Sequence, residues 1–132
     1  MEKAGEAQGL KIFLVDDDPK ILDLYTKVLR KGGYFTIAVS SAADALEIVD
    51  RGLTKVDLII ADINMPGLNG IEFHHRVKER RADLADKIIF ITGGVFEDEM
   101  AESLAAIPNP ILKKPLEFEI LLKTVAQVSS RK

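Results

Sequence analysis

The chain has 132 residues, of which 47% are hydrophobic and 30% charged, and its formal net charge is −3. This composition is typical of a globular protein, and the length fits one domain better than two. Cysteine is absent, which excludes disulfides, thiolate metal sites and cysteine nucleophiles and favours a reducing, cytoplasmic compartment. The acidic balance disfavours nucleic acid as the main ligand, and no apolar run reaches membrane-spanning length.

The first nine residues, MEKAGEAQG, are small and polar and lack the apolar core of a signal peptide. We expect residues 1–9 to form a flexible tail or linker and residues 10–128 to form one folded domain. Only SSRK follows the last helical pattern, so we expect no DNA-binding output domain after it.

Short apolar runs alternate with amphipathic stretches from Leu10 onward. The runs are KIFLV, YFTIAV, VDLIIA, KIIFIT and PILKK, at residues 11–15, 34–39, 56–61, 87–92 and 110–114. Their length and their content of Ile, Val and Phe predict strands. The middle three are nearly continuous in apolar residues, which indicates burial on both faces of a sheet.

Helix-length segments separate and follow these runs. They contain PKILDLYTKVLRKGG, SSAADALEIVDRG, NGIEFHHRVKERR, FEDEMAESLAA and EFEILLKTVAQVSS. In the first, Pro19 occupies the first turn, and the apolar residues at helical spacing fall on one face: Ile21, Leu24, Tyr25 and Val28. Strand and helix therefore alternate five times, which predicts a parallel sheet with helices on both faces and right-handed crossovers.

Polar residues follow four of the predicted strands at the point where each strand ends. They are Asp16, Asp17 and Asp18 after the first, Asp62 after the third, Thr92 after the fourth and Lys114 after the fifth. In open α/β sheets, ligands bind beyond the carboxyl ends of the strands. We therefore expect these side chains to converge on one edge and to form the functional site.

Clustered carboxylates without histidine or cysteine are hard oxygen ligands, which suit Mg²⁺ rather than zinc. Asp16 and Asp17, together with Asp62, can surround one such ion. The backbone carbonyl of Asn64 can add a further ligand. A divalent cation would also neutralise the negative charge that adjacent carboxylates concentrate at the edge of an apolar core.

One carboxylate in such a site can act as a nucleophile and form an acyl phosphate, while the metal neutralises charge on the transferring phosphoryl group. Lys114 would place a positive charge near one phosphate oxygen, and the Thr92 hydroxyl would donate a hydrogen bond to another. Gly93 would leave room for the group, because a larger side chain beside Thr92 would crowd it.

The segments VDDDP, DLIIADINMPGLNG, IIFITG and KKP lie in this order at the ends of strands one, three, four and five. Together they resemble the receiver domain of two-component response regulators, over roughly residues 10–128. The resemblance implies a flavodoxin-like (βα)5 fold with a five-stranded parallel sheet of order 2-1-3-4-5.

The family also implies a role for each site residue. Asp62 would accept the phosphoryl group, with Thr92 and Lys114 contacting it. Mg²⁺ would be held by Asp16, Asp17, Asp62 and the main-chain carbonyl of Asn64.

The partner implied by the resemblance is a sensor histidine kinase or a histidine phosphotransfer domain, which donates the phosphoryl group from a phosphohistidine. Receivers assist their own phosphorylation and dephosphorylation, so the protein would be a signalling phosphoacceptor rather than an enzyme. Phosphorylation would shift the conformation of the loops after strands three and four and of the fourth helix. We expect a monomer or weak homodimer that does not contact nucleic acid or membrane directly, and the downstream protein partner is not specified by the sequence.

Several positions depart from the family pattern. Ile111 stands where receivers often carry an aromatic residue, so it has no ring to swing inward and aromatic-switch signalling is in question. Gly93 stands where the family usually has Ala or Ser after the Thr, and Gly94 follows it, so two glycines make the loop after strand four permissive. Pro108 and Pro110 suit an edge strand. The combination TGG…NPILKKP is more similar to receivers attached to hybrid histidine kinases than to transcriptional regulators.

Some residues also have simple structural explanations. Asp18 is an expected helix N-cap. His74 and His75 are adjacent on a helix and point about 100° apart, which predicts a surface helix rather than a chelating pair. Tyr25 and Leu29 lie near the first-helix face that receivers offer to phosphohistidine partners, and core packing explains them equally well.

Other functions remain to be weighed. A receiver fold used as a phosphorylation-independent interaction module is consistent with Ile111 and the two glycines. A phosphatase with an aspartyl-phosphate intermediate is disfavoured, because such enzymes commonly need a second Asp where this sequence has Asn64. A flavin-binding relative is disfavoured because the loop after strand one is acidic, whereas a flavin phosphate prefers free N–H groups there.

Overall fold

The computed structural model describes residues 10–52, 55–65, 67–93, 98–114 and 116–130, without the side chains of 98–100. The expectations for residues 1–9 and for Gly94 fall outside the described residues. Among the described helices, none combines the length and the apolar character that a membrane span requires.

Within the described residues, the predicted alternation of strand and helix is confirmed. Strands β1 to β5 are Lys11–Val15, Phe35–Val39, Leu58–Asp62, Ile88–Thr92 and Ile111–Lys113. Helices α1 to α5 are Pro19–Lys31, Ala42–Arg51, Gly70–Arg80, Asp98–Ala105 and Phe118–Ser129. An additional four-residue helix, Ala82–Ala85, lies between α3 and β4 and was not predicted.

The five strands form one parallel sheet in the order β2-β1-β3-β4-β5, which confirms the predicted topology. In the centre of the sheet, Leu14 of β1 pairs with Ala38 of β2 on one side and with Ile60 of β3 on the other. The chain changes direction across the sheet between β1 and β3. This switch point opens a crevice beyond the carboxyl ends of these two strands, where ligands bind in folds of this type.

Two apolar clusters cover the two faces of the sheet. Successive side chains of β1 point to opposite faces, so Phe13 and Val15 join one cluster while Ile12 and Leu14 join the other. All four are buried, so β1 is covered on both sides. The carboxylates that follow β1 are therefore anchored by a strand with little freedom to move. Of the three runs predicted to be buried on both faces, β3 and β4 confirm the prediction. It is wrong for β2, which lies at the edge of the sheet and is only partly buried, with Phe35 60% exposed.

Helix α1 packs on the second cluster through Tyr25 and Leu29, which are both buried. Core packing is thus confirmed for these two residues. Leu24, which the helical pattern assigned to the same face, is 43% exposed and points toward α5, where it lines a shallow groove with Phe118.

Helix α3 begins close to the end of β3. Asn69 is the N-cap: its side chain accepts the N–H of Glu72 at 2.9 Å, and the Glu72 carboxylate accepts the N–H of Asn69 at 3.2 Å. This reciprocal capping box fixes the start of the helix. Gly70 then packs so tightly that a Cβ there would lie 3.0 Å from the Ile63 Cα and 3.2 Å from the Phe90 ring.

The inner face of α3 carries Phe73, His74 and Val77, all buried against the sheet. The prediction of a surface position is therefore wrong for His74, and it is confirmed for His75, which is exposed. The physical reason is the helical period, which places residue 74 on the same face as residues 70, 73 and 77.

Candidate functional site

The site begins where β1 ends. The N–H of Asp16 donates to the Val39 carbonyl at 3.1 Å and extends the β1–β2 ladder by one residue. The Asp16 Oδ1 accepts the N–H of Asp18 at 2.9 Å, so the loop turns around this carboxylate. The Asp18 Oδ1 in turn accepts the N–H of Lys20 at 2.9 Å, which confirms Asp18 as the N-cap of α1.

The end of β3 supplies the central carboxylate. Asp62 is the last residue of that strand and is buried, and its Oδ1 accepts the N–H of Asn64 at 2.9 Å. Beside it, the N–H of Ile63 donates to the Ile91 carbonyl at 2.9 Å, which ties the loop to β4. The carboxylate of Asp62 is thus fixed from the loop side, while its second oxygen faces the site.

The structure brings together the three carboxylates predicted to bind a metal. Oxygen atoms of Asp16, Asp17 and Asp62 all lie within 4.8 Å of one another. Asp16 and Asp62 are buried and Asp17 is exposed, so the cluster opens to solvent on one side. Opposite ligands of Mg²⁺ are about 4 Å apart at metal–oxygen distances of about 2.1 Å, so this set of hard oxygen donors fits one Mg²⁺ with small adjustments.

Lys114 completes the cluster from β5. Its Nζ lies 3.3 Å from Asp62 Oδ2 and 3.6 Å from Asp16 Oδ2, and so bridges the ends of β1 and β3. Its backbone N–H donates to the Thr92 carbonyl at 2.7 Å. Thr92 is buried at the end of β4, so the predicted lysine and hydroxyl come from neighbouring strands on the same side of Asp62.

Gly93 lies beside the stem of this lysine. A Cβ at residue 93 would come within 3.3 Å of the Lys114 Cδ and 3.7 Å of its Cβ. A side chain there would press on the lysine first. The space predicted for a phosphoryl group therefore adjoins the path of the Lys114 side chain.

The electrostatics of the cluster are dominated by negative charge. Burial raises the pKa of Asp16, which the N–H of Asp18 and the charge of Lys114 only partly offset, and Asp62 and Asp17 add to the increase. Burial alone would lower the pKa of Lys114, but the carboxylates of Asp16 and Asp62 outweigh it and the net change is upward. Lys114 is therefore held as a cation, and the remaining excess of negative charge would be relieved by a divalent cation.

Tyr25 is a neighbour of the site that sequence reasoning treated only as a core or partner residue. Burial raises the pKa of its phenol, and the charges of Lys114, Asp16 and Asp62 also act on it. Its ring packs edge-to-face against Phe118 with 6.5 Å between centroids. The only signal in the sequence was a hydroxyl-bearing aromatic on the inner face of the helix that follows the acidic loop.

A doubly wound parallel sheet, with an acidic cluster and a lysine beyond its carboxyl ends, defines an α/β domain of the flavodoxin-like class. The family model of the response regulator receiver domain matches residues 12–126. The chain belongs to this family, and it is therefore a receiver domain of two-component signalling.

Relatives support the assignment. The chain is 32% identical over 117 residues to the uncharacterised transcriptional regulatory protein YbdJ of Bacillus subtilis, with 88% of the chain and 49% of that protein covered. It is 30% identical over 118 residues to an uncharacterised 14.6 kDa protein of Leptolyngbya boryana, with 89% and 88% covered. It is also 25% identical over 128 residues to the sensor histidine kinase RcsC of Salmonella typhimurium, covering 97% of the chain and 13% of RcsC. The chain thus spans about half of YbdJ but most of the Leptolyngbya protein.

Solved structures show the same fold. A receiver domain protein from Clostridium thermocellum has a TM-score of 0.81 at 24% identity, with 92% of this chain and 95% of that chain covered. The chemotaxis protein CheY4 of Vibrio cholerae has a TM-score of 0.76 at 28% identity, with 90% and 98% covered. The strand order predicted from the resemblance is shared by this family of structures.

Proposed function

We propose that this receiver takes a phosphoryl group from a phosphohistidine onto Asp62 and changes conformation in response. The observation that carries the proposal is the convergence of three carboxylates and one lysine from three strands on a single point. Burying like charges together is unfavourable unless positive charge neutralises them. A divalent metal would supply that charge and, together with Lys114, would also offset the charge of a phosphoryl group.

Asp62 is the nucleophile in this proposal. One of its carboxylate oxygens attacks phosphorus, an O–P bond forms, the P–N bond of the phosphohistidine breaks, and the imidazole leaves with the bonding electron pair. The hydrogen bond from the N–H of Asn64 orients the carboxylate before the reaction. Its position at the end of a fully buried strand limits how far it can rotate away.

The remaining residues stabilise the phosphoryl oxygens. Lys114 already lies 3.3 Å from the nucleophilic carboxylate, so its ammonium is in place to pair with an oxygen of the incoming group. The Thr92 hydroxyl, on the neighbouring strand, would donate a hydrogen bond to a second oxygen. Asp16, Asp17, Asp62 and the Asn64 carbonyl would hold Mg²⁺, which when bound supplies neutralisation of the charge on the transferring group.

The donor would be a histidine kinase or a histidine phosphotransfer protein. The groove between α1 and α5 supports a protein partner near the site. Its floor is apolar, with Leu24, Val28, Phe118 and Leu122, and its rim carries Lys27, Arg30 and Lys31. An apolar surface flanked by acidic residues would complement it. The downstream partner that reads the phosphorylated state would bind a surface of the domain to which we assign no location.

The test is intact-mass spectrometry after incubation with acetyl phosphate, with and without Mg²⁺. We expect one phosphoryl adduct on the wild type that requires the metal, and none on Asp62→Asn. Asp18→Asn is the matched control: it changes the third acid of the same triplet, which caps α1 and does not belong to the carboxylate cluster. We expect it to be labelled as well as the wild type.

Two outcomes would contradict the proposal. An Asp62→Asn variant that incorporates phosphoryl as well as the wild type would show that another residue is the acceptor. A folded wild type that binds Mg²⁺ but is never labelled, by acetyl phosphate or by any histidine phosphotransfer donor, would favour the phosphorylation-independent interaction module.

A further inference from the structure

His74 is a buried polar residue that the proposed function does not use. Only 5% of its surface is exposed, and its ring lies against Phe90 of β4 with 6.4 Å between centroids. Both imidazole nitrogens are buried, and neither has a hydrogen-bond partner within the described part of the chain. An unpaired buried polar group is unfavourable, so the surroundings of His74 call for an explanation.

Asn109 lies in the segment before β5 and is also 5% exposed. Its Nδ2 donates to two carbonyls, those of Ala85 at 2.8 Å and Ile88 at 2.9 Å. Because these two bonds require the NH₂ group, the orientation of the amide is fixed and Oδ1 points elsewhere. Within the described residues, that oxygen is buried and has no donor.

The two side chains are complementary neighbours. The His74 nitrogens and the Asn109 Oδ1 do not form a hydrogen bond in this structure, and the effect of Asn109, which raises the pKa of the ring, is the smallest of those that act on it. Neutral histidine has one N–H donor, so a small movement of either side chain would pair that donor with the Asn109 Oδ1. This single bond would connect α3 to the segment that leads into β5, and through the Asn109 NH₂ also to the start of β4.

A protonated His74 would not fit this pocket. It would carry two N–H donors and a charge, whereas Asn109 offers one acceptor. The charged groups that face it from α3 are His75 and Lys78, which disfavour a second positive charge, and only Asp86, just before β4, favours it. Among the described residues, Phe90 and Asn109 also act on or contact the ring and are uncharged, and burial together with these charges lowers the pKa of His74.

We propose that His74 acts as a pH-sensitive latch: its neutral ring holds α3 against β4 and the approach to β5, and its protonation loosens α3, because within the described residues the buried pocket offers neither a countercharge in contact nor an acceptor for a second N–H. The latch acts on a helix that starts at Gly70, whose N–H donates to the Ile63 carbonyl at 2.9 Å. Ile63 follows Asp62, so loosening of α3 in mild acid would reach the loop beside the site. This inference does not depend on phosphorylation.

The direction of the pH effect follows from the lowered pKa. Above the unfolded-state value of 6.5, His74 is neutral in both states and contributes no pH dependence. As the pH falls below 6.5 toward the folded-state pKa, the unfolded chain binds a proton that the folded chain binds less readily. Stability is therefore lost on acidification across this window.

The test compares thermal unfolding at about pH 7.5 and about pH 5.5, the range in which histidine changes charge. We expect the melting temperature of the wild type to fall by about 3 °C more than that of His74→Leu, which removes the titrating ring but keeps an apolar side chain of similar size. His75→Gln is the matched control, since it removes the exposed neighbouring histidine. We expect it to keep most of the wild-type acid sensitivity, because burial lowers the pKa of His74 more than the neighbouring His75 does.

A second measurement on the wild type avoids any dependence on folding of the variant. Amide hydrogen exchange, corrected for the intrinsic effect of pH, should show that protection of α3 falls between about pH 7.5 and about pH 5.5 while that of α1 is retained. Unchanged protection of α3, equal acid sensitivity of wild type and His74→Leu, or loss of that sensitivity in His75→Gln would each overturn the proposal.

Discussion

Asp16 is a residue at which function opposes stability. It is buried beside two other acids, and its raised pKa shows that the folded protein disfavours its ionised form. The hydrogen bond from the N–H of Asp18 and the nearby ammonium of Lys114 recover only part of that cost. A buried acid with a raised pKa is typical of a functional site, and here the proposed function is metal binding.

Replacement of Asp16 by Asn should therefore stabilise the protein in metal-free buffer. The amide keeps an oxygen that can accept the N–H of Asp18 but removes the buried charge. We expect the melting temperature to rise by about 3 °C at neutral pH in the presence of EDTA. Asp18→Asn, which retains a capping side chain, should change it far less.

The pH dependence of this gain has a defined sign. Because the folded-state pKa of Asp16 is raised above 3.8, the folded wild type binds a proton more readily than the unfolded chain as the pH falls. The wild type should then regain stability, and the higher melting temperature of Asp16→Asn should approach that of the wild type as the pH falls through the raised pKa of Asp16 toward 3.8. An advantage that is constant with pH would contradict this explanation.

Lys114 should weaken metal binding, whereas the negative charge of Asp16 should favour it. Its ammonium lies 3.3 Å and 3.6 Å from two of the carboxylates that would hold Mg²⁺, so it already neutralises part of their charge. Lys114→Gln should bind Mg²⁺ more tightly, roughly tenfold, because the competing positive charge is removed. Calorimetric titration with MgCl₂ measures the affinity.

The matched control for this prediction is the adjacent lysine. Lys113 is exposed at the end of β5, and we expect Lys113→Gln to bind Mg²⁺ as the wild type does. Equal affinities for the wild type and both variants would show that Lys114 does not share the charge of the cluster with the cation.

At the scale of single elements, α3 connects the acidic site to the rest of the domain. Its capping box fixes the first turn, and its first residue, Gly70, contacts both the backbone of Ile63 and the ring of Phe90. The close approach is possible because Gly70 lacks a Cβ. The position of the helix is thus set by steric contact with the loop that follows Asp62.

Gly70→Ala should destabilise the protein although alanine is the better helix former. A Cβ would come within 3.0 Å of the Ile63 Cα, and backbone atoms of a buried loop cannot move aside cheaply. We expect a loss of about 1–3 kcal/mol in the free energy of unfolding, measured by chemical denaturation.

The control is the same glycine-to-alanine substitution at Gly93, where the added Cβ would meet a side chain and not the backbone. At Gly93, an added Cβ would meet the Lys114 Cδ at 3.3 Å, and a flexible lysine stem can move. Gly93→Ala should therefore cost much less than Gly70→Ala. A Gly70→Ala variant as stable as the wild type would show that α3 can shift away from Ile63.

Much of this architecture could be predicted from the sequence because strand burial and helical spacing are local patterns. The carboxyl ends of buried strands placed Asp16, Asp62, Thr92 and Lys114 at one edge, and the fold confirms that placement. The short helix Ala82–Ala85 was missed because four residues contain too little periodicity to detect. The burial of His74 was missed because a polar residue on a helix was assigned to solvent.

The role of Asn109 could not have been inferred from sequence. Its NH₂ group bonds two carbonyls more than twenty residues away along the chain, at separations of 24 and 21 residues. Such contacts depend on how the ends of strands and helices pack in three dimensions, and they cannot be predicted from residue type or spacing. Tyr25 is a similar case, because only the packing of α1 brings its hydroxyl into the field of the acidic cluster.

At the scale of the whole molecule, binding of the cation should be linked to stability. A ligand that binds only the folded chain stabilises it by mass action, by about 2.7 kcal/mol at a concentration one hundred times the dissociation constant. We expect the melting temperature of the wild type to rise with MgCl₂ and to remain unchanged at equal ionic strength in NaCl. Asp17→Asn, which removes an exposed member of the cluster, should weaken the response.

A melting temperature that rises equally in NaCl would point to general screening of the acidic charge instead of a bound ion. If Asp17→Asn and Asp62→Asn each kept the full rise of melting temperature with MgCl₂, the cation would have to bind elsewhere on the molecule. Each of these results separates metal binding from the phosphoryl chemistry, because neither measurement uses a phosphodonor.

The wide separation of the site residues along the chain has a consequence for biosynthesis. Asp62 and Lys114 are 52 residues apart, and their contact requires β1, β3, β4 and β5 to be assembled in one sheet. Asp16 and Asp62 leave the ribosome well before Lys114, the lysine that partly neutralises them. A nascent chain would therefore hold these acids without the lysine until β5 is added, and a magnesium ion could neutralise them in the meantime.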